Sequence, residues 1–260
     1  MSSGIYHTLF TTNDNSLWGI GNNTNSQLGL GHFNKVLGLN KISTFHHSKI
    51  TQLSTFSYHN LILFENSTVF GFGRNNMGQL GLGHYNTISS PTKIPLQTSQ
   101  NIKSIHTSFE SSIILLNTSK IIAAGSNHNY QIGLKHNLKY NKFISVKYLH
   151  NIKTLHCTDL CTFVITHDNK LYVMGNLEYL QLYKTHTLSQ NIVKICDLNS
   201  FQFIGNGYPH IQWSSYTHHL FPLSFRKSIK MFYNCLYQLK FSTGIKIPKY
   251  ILYIIIKKSL

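Results

Sequence analysis

Apolar and polar positions alternate in short bursts along most of this chain. Residues 6–12 and 17–21 read as two strands around the turn signal Asn13-Asp14-Asn15. The same phrase returns at 58–64 and 68–73 around Glu65-Asn66-Ser67. Further strands are predicted at 92–96, 102–108, 112–118 and 120–126, and again at 142–149, 152–158, 161–167 and 170–176. Weaker ones follow at 192–196, 201–204 and 211–213. No segment before residue 215 sustains an apolar period of 3.6, so that part is read as all-β. From residue 216 the pattern changes. Ile229, Phe232, Tyr233, Leu236 and Leu239 fall at helical spacing, and Pro248 opens a second helical run over 250–258.

The strands belong to a repeat. Gln27, Gln79, Gln131 and Gln181 recur at spacings of 52, 52 and 50 residues. Gly21, Gly73, Gly125 and Gly175 keep the same register, as does the position held by His7, His59, Ser111 and Cys161. A fixed period near fifty with four short strands per unit predicts the blades of a β-propeller. The glycine-rich stretch 70–83 is the cleanest copy. It holds Gly73, Gly78, Gly81 and Gly83, matched by Gly21, Gly29 and Gly31 before it and by Gly125 and Gly133 after it. These glycines are read as turns at the seams between blades, where a positive φ or a close backbone approach is needed. They are not read as a phosphate cradle, because they open no helix and no Gly-Lys-Ser/Thr follows.

Function is then expected where the copies differ: Asn23, Thr24 and Asn25 in the first loop, Arg74, Asn75 and Asn76 in the second, Asn127 and His128 in the third, Glu178 and Tyr179 in the fourth. His7 and His59 are expected to be structural, and His32, His84 and His136 to close the loops.

Charge narrows the partners. Among 260 residues, 23 Lys and Arg face 7 Asp and Glu, for a formal net charge of +16. Beyond Asp197 the chain is basic without compensation. Such a balance favours an acidic protein or nucleic acid, reached through the tail. The sequence shows no catalytic constellation: no Gly-x-Ser-x-Gly elbow and few carboxylates for paired acid–base work. The four cysteines fit neither a disulfide framework nor a paired zinc site. The expectation is a non-enzymatic protein with no cofactor and no metal, free thiols, no signal peptide and no membrane span, placed in the cytoplasm or the nucleus.

At Gly4-Ile5-Tyr6-His7-Thr8, Leu17-Trp18-Gly19-Ile20-Gly21 and Gly78-Gln79-Leu80-Gly81-Leu82-Gly83, the chain resembles the regulator of chromosome condensation repeat family. The resemblance covers about residues 1–213 and implies a β-propeller, usually of seven blades. This chain holds about four to five, so an array that is open or incomplete relative to seven is expected. A basic helical module is expected over 214–260, and it resembles an F-box-like segment. The expected function is a protein-interaction scaffold that presents its loops to a partner. The resemblance implies two alternatives: a guanine-nucleotide exchange factor for a Ran-like small GTPase, and a substrate receptor of a ubiquitin ligase.

Overall fold

In a computed structural model, residues 1–98, 100–134, 136–176 and 192–197 are described, the side chains of 193–197 excepted. They form sixteen strands and no helix. The strands are β1 Ser2–Ser3, β2 His7–Thr11, β3 Ser16–Gly21, β4 Leu39–Thr44, β5 Ile50–Thr55, β6 His59–Phe64, β7 Val69–Gly73 and β8 Ile88–Lys93. They continue as β9 Ile102–Thr107, β10 Ser111–Leu116, β11 Ile121–Ser126, β12 Lys139–Val146, β13 Ile152–Cys157, β14 Cys161–Thr166, β15 Lys170–Gly175 and β16 Ile192–Asp197.

They make four antiparallel four-stranded meanders in chain order: β1–β4, β5–β8, β9–β12 and β13–β16. In the second, third and fourth sheets the second strand is the most buried. All six residues of β6 and all six of β10 are inside, so those strands read as continuous apolar runs. The first strands of successive sheets lie side by side: β1 by β5, β5 by β9, β9 by β13. They are stitched by polar side chains. The amide of Gln52 both donates to the Ile105 carbonyl and accepts from the Ile105 N–H, at 2.8 and 2.9 Å. Ser54 Oγ meets Thr107 Oγ1 and accepts from the Thr107 N–H, and Ser2 Oγ does the same with Thr55. Between neighbouring sheets lie separate apolar cores. Leu9, Leu17, Leu28, Ile62 and Phe72 fill the first, and Leu61, Leu80, Ile105 and Ile114 the second.

Two corrections follow. The phase read from the sequence grouped 92–96 with the three strands after it. Instead β8 ends at Lys93 and pairs back onto β7, with Phe70 opposite Lys93. Likewise β12 begins at Lys139 and pairs onto β11. The cause is the glycine-rich loop, whose two ends are pinned together by side chains and so return the chain to the strand it left. Alternation gives a strand's faces but not its neighbour. The glycine-rich stretch is thus a loop inside each sheet that leans across the seam, not the link from one sheet to the next. The strands expected at 201–204 and 211–213 and the helical module at 214–260 lie outside the described residues.

Candidate functional site: loops across the sheet seams

Each sheet has a third-to-fourth strand loop, and the first three are described: 22–38, 74–87 and 127–138, the last except for residue 135. One buried asparagine organises each. In the second loop, Asn75 Nδ2 donates to the His84 carbonyl at 2.9 Å, and Asn75 Oδ1 accepts from the Leu80 N–H at 2.9 Å. Asn23 does the same with His32 and Leu28, and Asn127 with His136 and Ile132. A glutamine follows the same rule. Gln27, Gln79 and Gln131 accept from the backbone N–H of Asn25, Met77 and Asn129. The repeated Asn and Gln therefore replace a ladder of main-chain bonds that an irregular loop lacks.

The glycines hold this frame against the next sheet. A Cβ on Gly29, Gly81 or Gly133 would strike Phe72, Phe143 or Met174, each from the following sheet. The N–H groups of Gly31 and Gly83 donate across the seam to the Ser89 and Asn141 carbonyls, both at 2.7 Å. Gly21, Gly73, Gly125 and Gly175, at or one residue before the ends of their strands, press against the turn before the second strand, at the carbonyls of Tyr6, Tyr58, Glu110 and Leu160. Gly78 has non-glycine counterparts in the sister loops, Ser26 and Tyr130, which share its positive φ. What Gly78 answers is proximity, because a Cβ there would stand 2.6 Å from the Asn141 Cα.

Beside the loops, the turns between first and second strands carry aromatic rings. Tyr6 stacks on Tyr58 at 5.4 Å, and Phe109 meets Tyr58 edge-on at 6.5 Å. The Arg74 guanidinium stands 5.7 Å over the Tyr58 ring. This row is half open to solvent, with Tyr6 51% exposed. It was not singled out from the sequence. The signal was present in the shared register of Tyr6 and Tyr58, one residue before the repeated histidine.

The expected partner-binding residues separate into two groups. Asn23, Asn75 and Asn127 are fully buried, so they are corrected to loop staples. Thr24, Asn76 and His128 are exposed at the loop tips, with Asn25 and Arg74 half-buried beside them. Glu178 and Tyr179 lie outside the described residues. The histidines belong to the frame. His7 Nε2 lies 2.6 Å from Asn60 Oδ1 across the seam, and the Asn60 amide donates on to the Gln27 carbonyl. His59 Nε2 lies 2.9 Å from Ser112 Oγ. Burial pushes the His59 imidazole down to about 3, with the neighbouring His7 adding to the effect. Burial also pushes the thiols of Cys157 and Cys161 up to about 12, so both stay protonated. Among the described residues no group of three or more His, Cys, Asp or Glu could hold a metal, and no helix is long and apolar enough to cross a membrane.

Comparison with known proteins agrees with this geometry. Residues 66–115 match the regulator of chromosome condensation (RCC1) repeat, and residues 1–27 match a second form of it. The chain is 30% identical to human probable E3 ubiquitin-protein ligase HERC6 over 183 residues, which is 68% of this chain and 18% of that protein. It is 38% identical to human protein RCC2 over 89 residues, 34% of this chain and 17% of that one. The chain thus spans less than a fifth of either relative. In structure it is similar to Prp20p of Saccharomyces cerevisiae, with a TM-score of 0.60 and 25% identity over 67% of this chain and 43% of that one. Human WBSCR16 shares the fold at a TM-score of 0.59 and 20% identity, over 66% of this chain and 45% of that one. Residues 1–27 and 66–115 are thus similar to RCC1 repeats, and the described sheets follow the propeller arrangement of those structures.

Proposed function

We propose that the protein is a non-enzymatic binding module that engages a partner protein with its third-to-fourth strand loops and the adjoining aromatic turns. One observation carries the reading. Three loops share the same internal hydrogen bonds, yet their exposed tips differ: Thr24, Asn76 and His128. A fixed frame with variable tips lowers the ordering cost of binding and leaves specificity to a few side chains. Tyr6, Tyr58 and Arg74 are of the residue types that dominate interface energies. The test is a chain with Thr24, Asn76 and His128 all changed to alanine, its affinity measured for a partner isolated on the wild type. A loss of at least about tenfold, with melting unchanged, is expected. Equal affinity would sink the proposal.

The second reading is accelerated nucleotide release from a Ran-like small GTPase. It is favoured by the likeness to Prp20p, which was crystallised in work on its binding to Gsp1p and histones, and by 28% identity over 127 residues to human X-linked retinitis pigmentosa GTPase regulator. Release of labelled GDP from a panel of small GTPases separates the two readings. The likeness to HERC6 bears on the ubiquitin-ligase alternative, but the basic module at 214–260 on which that alternative turned lies outside the described residues.

A further inference from the structure

The apolar core between the first and second sheets does not close at the end away from the loop tips. There it opens into a cavity of about 200 Å³. Its wall is three phenylalanines. Phe64 and Phe70 lie edge-to-face at 5.3 Å on β6 and β7, and Phe45, from the connection after β4, meets them at 5.0 and 6.0 Å. Thr68, His47 and Lys93 stand at the rim.

The wall is peculiar to this seam. One repeat later, Leu116 and Ile122 take the places of Phe64 and Phe70, and Ser145 pairs with Ile122 where Lys93 pairs with Phe70. In the first sheet the matching lysine, Lys41, lies over the Trp18 ring at 5.9 Å. Lys93 is exposed and has neither ring nor carboxylate partner among the described residues. Glu65, in the neighbouring turn, does not line the cavity.

We propose that this cavity is an anchor site for a single large apolar side chain, phenylalanine or leucine, carried in an acidic segment of a partner protein. The size selects the occupant. A cavity of 150 Å³ takes a benzene ring, whereas pockets for whole metabolites start near 300 Å³. The three rings offer edges and faces to an incoming ring. The Lys93 ammonium, beside the mouth, selects a carboxylate on the neighbouring residue of the partner, as the overall charge of +16 also favours. The site lies at the opposite end of the sheets from Thr24, Asn76 and His128, and does not rest on their role.

Fluorescence polarisation with the full chain tests it. The probe is a fluorescein-labelled nine-residue peptide with one central phenylalanine between aspartates. Saturable binding with a Kd of about 100 μM or tighter is expected. Alanine at the centre of the peptide, or Thr68→Trp filling the cavity, should each weaken it at least about tenfold. Lys93→Glu should weaken it likewise and should shift preference to a peptide whose flanks are lysines. That charge exchange decides the matter even where Thr68→Trp does not fold. Alanine at the three loop tips should leave peptide binding unchanged, so the two proposals fail separately. No saturable binding up to about 1 mM, or equal binding of the alanine-centred peptide, would overturn the assignment.

Discussion

His59 shows what a single residue does in this scaffold. It is fully buried on β6, and its ring spans the seam to Ser112. With its imidazole held at about 3 against 6.5 in the unfolded chain, the folded protein cannot take up the proton that the unfolded one binds. Stability from this residue is therefore full above pH 6.5 and is lost as pH falls toward 3. His106, pushed down to about 4 by burial and then by the charge of His156, acts in the same direction. Asp14, held near 2 by hydrogen bonds from Thr12 and Ser16, enters only below pH 4. Each such histidine contributes about 1.4 kcal/mol of lost stability per pH unit. The melting temperature should be level from pH 8 to 7 and fall steadily below pH 6; a flat profile down to pH 4.5 would contradict the burial of these rings. The structural role of His7 and His59 was legible from their repeated position. The role of Asn23, Asn75 and Asn127 was not. An Asn in a polar loop looks solvent-facing in sequence, and only the count of unpaired main-chain groups around it reveals why it turns inward.

At the scale of an element, the loop is the unit that matters. Gly78 illustrates it. Two sister loops carry Ser26 and Tyr130 at the same positive φ, so backbone strain is not the main reason for glycine there. The reason is β12, whose Asn141 Cα would lie 2.6 Å from a Cβ. Backbone cannot step aside as a flexible side chain can. Gly78→Ala should cost about 2–4 kcal/mol, well above the roughly 1 kcal/mol expected from φ alone, whereas Ser26→Ala should cost less than about 1.5 kcal/mol. Thermal or urea unfolding measures both, and equal losses would mean that the seam is looser than described. Strand existence was readable from alternation, but the grouping of strands into sheets was not. The assignment of β8 and β12 depended on where a loop's ends are pinned, and that information sits in Asn75 and Asn127 rather than in the strands.

For the molecule as a whole, the period of 52, 52 and 50 residues in sequence becomes four sheets, and Gln52, Ser54 and Ser2 sew together the inner strands of the first three. The loops are then fixed by two sheets at once: their own strands and the outer strand of the next. This makes the glycine-rich stretches joints, and it leaves the tips and the turn aromatics for recognition. The first half of that statement was in the sequence, because glycines in register imply geometry. The second half came only with the fold, since exposure separates Asn75 from Asn76 although they are neighbours of one residue type. Hydrogen exchange on the intact chain tests the arrangement most directly, read at the amides of Leu28, Leu80 and Ile132. These bond to asparagine side chains inside the loops. They should be protected as strongly as the amides of the neighbouring strands, while the amide of Asn76 exchanges at least about a hundredfold faster. Exchange of Leu28, Leu80 and Ile132 at the rate of an open chain would contradict a rigid loop frame.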